Sequence, residues 1–430
     1  MDEDALTAAL KNVLIQVDDV SIATRDVSIR TQSGYLLTEG PLLAEMRESN
    51  IDHELAKIIF PILEVQPEFK DKALMINTGG GSMGFHSQFV ATVLVREARR
   101  RKSAKDAVRW LKKVLETDSA EMLVIQTLWG ISPKNRISVW KDVELLPFES
   151  LPPSRQKEQI TNVLDWPYNL RLPTLFFAHE PPTAALISKT EVRPFLIDKS
   201  IEENSTDRDI RKAYPPLDDI RLCLGLEGPS IIIAGPSWFQ YVDADLEAAL
   251  IATSSSYGSQ EILPFGLLID SLETTTNLQA IVRGYMALEQ RVKNQVHIAL
   301  ERLHQALIRT DPAARALEVS IALETLLIDD PGEHTFKISY RASLLISDTV
   351  EERMEARAII QAAYSMRSAL VHSGQTKSMV KIKGQGEKSA EEVASSAVTI
   401  TALVIKRIIM RGSIPEWNRF ELSDGRIWKS

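Results

Sequence analysis

The sequence predicts an α+β chain, with a mixed α/β N-terminal region over residues 1–270 and an all-helical bundle over 277–412. Three observations predict it. Up to about Asn277, short apolar runs bounded by Pro and Gly alternate with helical spacings; beyond it nearly every apolar residue recurs at a helical interval. At 430 residues the chain is longer than one ordinary core serves, so two or three domains are expected. Charge divides at the same boundary. Residues 277–412 hold 18 Lys and Arg against 15 Asp and Glu, a balance of +3, which leaves −11 on the remainder of a chain whose total is −8. The helical part is therefore the half suited to meet a polyanion.

Taken in order, "ALMINT" (Ala73–Thr78) has the composition of a strand, and "FHSQFVATVLVREARRR" spaces Phe85, Phe89 and Val93 as a helix does. "EMLVIQTLWGI" and "RISVWKDVELLPF" read as two strands joined by the turn "SPKN". Residues 151–216 carry "LPPS", "EPPT" and "YPPL", which suits long surface loops and a sub-boundary, with "TLFFAH" as a strand among them. "PSIIIAGPSWF" is a short apolar run of the kind a buried strand shows. Five helices are expected in the bundle: one through Val292, Val296, Leu303 and Leu307, then "RALEVSIALETLLI", "KISYRASLLIS", "EERMEARAIIQAAYSMRSALVH", and a last one ending at Lys406, Arg407 and Arg411 before Gly412. "DDPGEH" breaks the second from the third, "SGQTKSMVKIKGQGEKS" is a polar loop, and 413–430 is a tail. Cations in a last turn followed by glycine favour termination.

Composition removes several classes. Hydrophobic content of 44% and charged content of 25% are those of an ordinary globular chain. One cysteine, Cys223, leaves no intramolecular disulfide and no cysteine-rich zinc module, as a reducing compartment allows. The N-terminus "MDEDALTAAL" has no cationic start followed by an apolar run, and the most apolar helical stretch, Ala397–Ile405, is shorter than the roughly 20 residues of a membrane span. A cytoplasmic protein that does not enter a membrane is expected.

Among local motifs, "GGGSMG" (Gly79–Gly84) fits G-x-G-x-x-G between a strand and a helix, with Asp106 about 20 residues on. The next patterned segment, however, is a second helix, "AVRWLKKVLE", and no Gly-Lys-Ser/Thr is present, so the plainer reading is a surface turn. His53, His86, His179, His297, His304 and His334 show no metal-ligand spacing; His297 and His304 share one helix face seven residues apart and read as surface or core histidines. No G-x-S-x-G elbow is present. Neither a metal nor another cofactor is expected.

The stretch "YSMRSALVHSG" (Tyr364–Gly374) places Arg367 and His372 in an otherwise apolar helix. An arginine and a C-terminal histidine can be ordinary helix-surface residues, the latter favoured by the helix dipole. Five residues turn an ideal helix by about 140°, so the two side chains meet only if the helix ends or tightens at the histidine, or if a partner chain supplies a second copy. "MRSALVHSG" resembles the R-x4–6-H motif of HEPN domains in their Apea-like branch. "DPAARALEVSIALETLL", with Ala322, Leu323 and Glu324, resembles that branch's preceding helix, and "ISYRASLLI", with Arg341, the helix between. The order agrees over about 135 residues. "ELLPFESLPPS" is similar to an α/β segment that often precedes such a domain.

The resemblance implies a bundle that dimerises and cuts RNA without a metal, Arg367 and His372 of both protomers lining one cleft. It further implies a toxin-like effector in prokaryotic anti-phage defence or stress response, with an antitoxin or defence-system partner and a sensing or restraining N-terminal domain. Gly374 stands where related toxins often carry a modifiable tyrosine. The chemistry suits the motif: a histidine, with a pKa near 6.5, can take a proton from a 2′-hydroxyl or give one to the leaving 5′-oxygen. A guanidinium offers fixed charge and planar donors to the phosphorane. Glu324, in an apolar helix, is expected to pair with Arg341 or Arg367, the alternative being an exposed glutamate. Tyr364 and Ser368 are supporting candidates. Lys377, Lys381 and Lys383 are placed to reach RNA phosphates, or are simply solvated. A non-catalytic dimeric scaffold that binds RNA or protein is the competing reading.

Overall fold

A row of six antiparallel strands organises the N-terminal half, in the order Ser255–Tyr257, Ile233–Tyr241, Ala120–Trp129, Ala184–Val192, Val143–Pro147 and Ile137–Trp140. The computed structural model describes residues 1–23, 29–30, 36–37, 41–78, 81–161, 181–200, 216–250, 255–257, 272–273, 277–329, 332–374, 377–382 and 384–426. The helices of this half are α1 (Glu3–Ala23), α2 (Pro41–Glu64), α3 (Ser87–Arg101), α4 (Ala104–Glu116), α5 (Arg155–Thr161), α6 (Leu217–Leu224) and α7 (Ala244–Glu247). Its strands are β1 (Ile29–Arg30), β2 (Leu36–Leu37), β3 (Leu74–Asn77), β4 (Ser82–Gly84), β5 (Ala120–Trp129), β6 (Ile131–Ser132), β7 (Ile137–Trp140), β8 (Val143–Pro147), β9 (Ala184–Val192), β10 (Leu196–Asp198), β11 (Ile233–Tyr241), β12 (Ser255–Tyr257) and β13 (Leu272–Glu273).

Alternation along β5 divides the sheet's two faces. Met122, Val124 and Leu128 join the main core, while Ile125 packs with Ile187, Leu146, Phe148 and Trp238 in a second, smaller cluster. Gly235 in β11 crosses the flank of β5 so closely that a Cβ would stand 2.3 Å from the Thr127 hydroxyl and 2.7 Å from the Trp129 ring. Only glycine fits there, and the strand bulges between Ala234 and Ser237 to pass.

Several expectations are corrected here. "RISVWKDVELLPF" is not one strand paired to "EMLVIQTLWGI": it folds back at Lys141-Asp142 into the hairpin β7–β8, and β5 instead lies between β9 and β11. The proline-rich region is not all loop, since its β9 is a central strand whose Ala184–Ile187 are buried. β11 runs through Gly235-Pro236 and does not stop there. "TLFFAH" lies outside the described residues. "GGGSMG" is not a strand-to-helix phosphate loop: Ser82–Gly84 form β4, hydrogen-bonded back to β3, so a second strand separates the glycines from α3. Gly79 and Gly80 themselves lie outside the described residues, and Asp106 pairs with Arg109 at 2.9 Å on the surface of α4.

The C-terminal half is helical, with α8 (Leu278–Met286), α9 (Gln290–Ile308), α10 (Pro312–Leu327), α11 (His334–Ile346), α12 (Val350–Ser373), α13 (Ala390–Arg411) and α14 (Trp417–Leu422). α13 is the central rod and packs on α8 through α12. It is 22 residues long, so the apolar stretch is longer than the sequence suggested; its length and mean hydropathy of 1.7 would let it cross a membrane, yet 61% of its most apolar stretch is buried inside the protein. Caps fix the helix starts: Asp311, Thr349 and Ser389 each accept a backbone N–H of the first turn, and Ser389 with Glu392 closes a capping box.

Two further differences bear on the site. The polar loop after α12 contains a hairpin, β14 (Met379–Ile382) with β15 (Gly386–Ser389), whose Ile382 is buried in the bundle core. The tail is folded as well: α14 buries Trp417 and Phe420. The halves meet where α6 packs on α8 and α9. There His297 Nδ1 stands 3.0 Å from Asp219, and buried His304 lies 3.3 Å from the Arg221 guanidinium, so both histidines serve this seam.

Candidate active site

Three side chains converge where α10 ends beside the C-terminal part of α12. Glu324, one turn before the end of α10, faces α12 and stands 3.2 Å from the Arg367 guanidinium. The same carboxylate oxygen, Oε1, accepts the Tyr364 hydroxyl. Tyr364 lies one turn before Arg367, and its ring sits 4.9 Å below the guanidinium carbon. Helical spacing makes this possible: residues three apart on α12 lie side by side, so one carboxylate on a facing helix reaches both.

The two partners are partly exposed, Arg367 at 29% and Glu324 at 26%, while the tyrosine is buried. Burial pushes the Tyr364 phenol well above its ordinary range, and the bond to the Glu324 carboxylate and its charge push the same way against the opposing effect of Arg367. The hydroxyl therefore remains a donor. Arg367 is held by an ion pair on one side and a ring on another, and its Nε–H is buried without an acceptor. A guanidinium fixed in this way and 29% exposed can turn its remaining terminal N–H groups to an incoming phosphate.

His372 lies in the last turn of α12, exposed, with no hydrogen bond or ion pair to the described residues. The helix neither ends nor tightens before it. α12 runs regularly through Ser373, and only then does Gly374, at φ 63°, turn left-handed and return its N–H to the Leu370 carbonyl. The route by which a helix end would bring Arg367 and His372 together on one chain is thus closed, and the pair remains about 140° apart around the axis.

Arg341 is not at this cluster. It is 3% exposed and bonds Asp329 at 2.8 Å, Glu421 at 2.6 Å and the Leu327 carbonyl at 2.6 Å, with Trp417 under its guanidinium. Of the two pairings open for Glu324, the structure has the one with Arg367; Arg341 ties the end of α10 to α11 and α14. Ser368 is exposed. Lys377 and Lys381 are exposed as well, Lys381 on β14 opposite Glu387, while Lys383 lies outside the described residues. Among the described residues no three His, Cys, Asp or Glu side chains are grouped to hold a metal ion. Sequence reasoning missed that Asp329, Trp417 and Glu421 hold Arg341; the only signal was an aromatic residue and two acids flanking expected breaks.

No protein-family model matches this chain, and no curated protein and no solved structure matches it.

Proposed function

We propose that this chain is a cytoplasmic, metal-independent endoribonuclease of the HEPN type that acts as a homodimer. The observation that carries the reading is the Glu324–Arg367 pair together with an exposed His372, unpartnered among the described residues, five residues further on the same regular helix. A guanidinium positioned by a carboxylate, followed on the same helix by a free imidazole, supplies a charge clamp and a proton-transfer group. One chain cannot aim both at a single phosphate. Two chains related by a two-fold axis can, because each brings one copy of each group to a shared cleft. Val371, 57% exposed beside His372, and Met379, 48% exposed on the neighbouring hairpin, support a partner surface at this end of α12.

In the mechanism, one imidazole takes the 2′-hydroxyl proton, and the 2′-oxygen attacks the adjacent phosphorus. The second imidazole gives a proton to the departing 5′-oxygen, leaving 2′,3′-cyclic phosphate and 5′-hydroxyl ends. The Arg367 guanidiniums bind the non-bridging oxygens as negative charge grows on them. The nucleophile is held next to the phosphate by the substrate itself, which gives the step its proximity advantage. Together with the resemblance of the motif, this supports a toxin-like effector in anti-phage defence or stress response, whose trigger or antitoxin acts through the N-terminal half.

Light scattering at cleaving concentrations, paired with analysis of the RNA ends, tests the reading. A dimer producing cyclic phosphate ends is expected. A monomer that cleaves equally well contradicts the composite site.

A further inference from the structure

A second group of side chains on α11 and α12 lies at the surface, its Tyr340 half-buried against the core and its Phe336 exposed. Phe336, in the first turn of α11, is 48% exposed, an unusual place for a large ring. It stacks on Tyr340, one turn on, with ring centres 5.8 Å apart and planes 26° from parallel. Arg357 of α12 lies over both rings, its guanidinium carbon 4.9 Å from the Phe336 centre and 5.8 Å from that of Tyr340. No carboxylate of the described residues pairs with Arg357, so its charge is uncompensated. Beside the rings the surface forms a shallow, open depression lined by Glu333, His334, Thr335 and Phe336, all exposed.

Helix geometry relates this group to the candidate active site. Arg357 and Tyr364 are seven residues apart on α12, two turns, so they point within about 20° of one another, and Arg367 lies about 15 Å along the axis from Arg357. α10 ends at Leu327 and α11 begins at His334, which brings the start of α11 to the end of α10 that carries Glu324. Arg357 and Arg367 thus lie on one helix, about 15 Å apart along it and about 80° apart around it, with the rings of α11 packed beside the former.

We propose that Phe336, Tyr340 and Arg357 form a platform for single-stranded RNA, on which one unpaired base stacks while a flanking phosphate meets the Arg357 guanidinium. The proposal rests on the ribonuclease reading above and extends it to the substrate's form. Base faces are available for stacking only in an unpaired strand; in a duplex they are covered by neighbouring bases. An aromatic ring accepts any base, and an arginine gives a sequence-tolerant contact to the backbone. The Arg357 cation matches a phosphate and the half-exposed Phe336 ring a base, the two groups that an unpaired strand presents together.

The test compares full-length wild type with Phe336→Ala, Phe336→Trp and Arg357→Ala, each checked for an unchanged circular dichroism spectrum. Two quantities are read: the ratio of kcat/KM for a longer unstructured oligoribonucleotide to that for a dinucleotide, and the affinity of the oligoribonucleotide for the same variants in a His372→Ala background. Phe336→Ala should lower both roughly tenfold, the scale of one lost base–aromatic stack, and Phe336→Trp should restore them. Arg357→Ala should weaken binding and reduce its salt dependence by about one phosphate contact. A wild type that cleaves RNA with the same ratio and affinity in all variants overturns the platform and leaves the ribonuclease reading intact. A wild type that neither binds nor cleaves RNA overturns both. A Phe336→Ala variant that loses its dimer while each site keeps its RNA affinity shows a contact between copies, and also overturns the platform.

Discussion

Glu324 and Arg367 stand 3.2 Å apart across the α10–α12 contact, and the carboxylate oxygen that faces the arginine also accepts the Tyr364 hydroxyl. One acid thus sets the position of two side chains. Replacing Glu324 with Gln keeps the shape and an acceptor for the phenol but removes the charge that holds the guanidinium. RNA cleavage should fall roughly ten- to a hundredfold, the scale of a misplacement near 1 Å, with the loss in kcat more than in KM. Steady-state kinetics on a defined RNA measure it; an unchanged kcat would separate Glu324 from the chemistry.

Arg367→Ala should be more damaging than Glu324→Gln, and Arg367→Lys should restore only part of the activity. A lysine keeps the positive charge but cannot lie flat on the Tyr364 ring or present two parallel donors to a phosphate. Equal rates for the lysine variant and wild type would remove the bidentate role.

Arg341 separates stability from catalysis. It is 3% exposed and joins α10, α11 and α14 through Asp329, Glu421 and the Leu327 carbonyl. Arg341→Ala should lower unfolding free energy by roughly 2–4 kcal/mol, as loss of buried charge-assisted bonds does. Denaturant unfolding reads this, and the remaining folded protein should turn over RNA far less altered than the Glu324 variant. The opposite ranking would return Arg341 to the site.

The N-terminal half carries a titration of its own. Burial raises the Glu247 carboxyl to about 7 from an ordinary 4.5, partly opposed by the Tyr241 N–H it accepts at 2.8 Å. A group whose pKa is higher folded than unfolded gives stability that is full below the unfolded value and is lost as pH rises through the folded one. Unfolding free energy should therefore decline between about pH 4.5 and pH 7 on account of this residue. The decline should be no more than roughly 3 kcal/mol, and Glu247→Gln should flatten that part of the profile. A profile that keeps its slope in the variant assigns the dependence elsewhere.

How far the sequence was legible depended on whether a signal was local. The helices of the C-terminal half carried their own periodicity, and Gly412 ends the last of the expected five where the sequence places it. α8 is short and α14 comes after an apparent end, so neither offered a long enough period. In the N-terminal half pairing is non-local. Nothing near β9 says that "AALISKTEV" enters the middle of a sheet, because alanine is a weak strand former and prolines surround it. The strand that follows the glycine turn, β4, is three residues long, below what alternation can reveal. At the site, spacing along one helix brought Tyr364 and Arg367 together, whereas the choice of Glu324's partner required knowing which faces of α10 and α12 meet.

Under the proposed mechanism, Arg367 and His372 cut RNA through its own 2′-hydroxyl. That mechanism is tested most directly by incubating wild type and His372→Ala with an RNA, and with the same RNA carrying one 2′-deoxy nucleotide at the cut site, in EDTA. Wild type should cleave the all-ribo strand to 2′,3′-cyclic phosphate ends and spare the deoxy position, while a folded, dimeric His372→Ala protein should be slower by roughly 10²–10⁴-fold. Undiminished cleavage by that variant, or efficient cutting at the deoxy nucleotide, would contradict it.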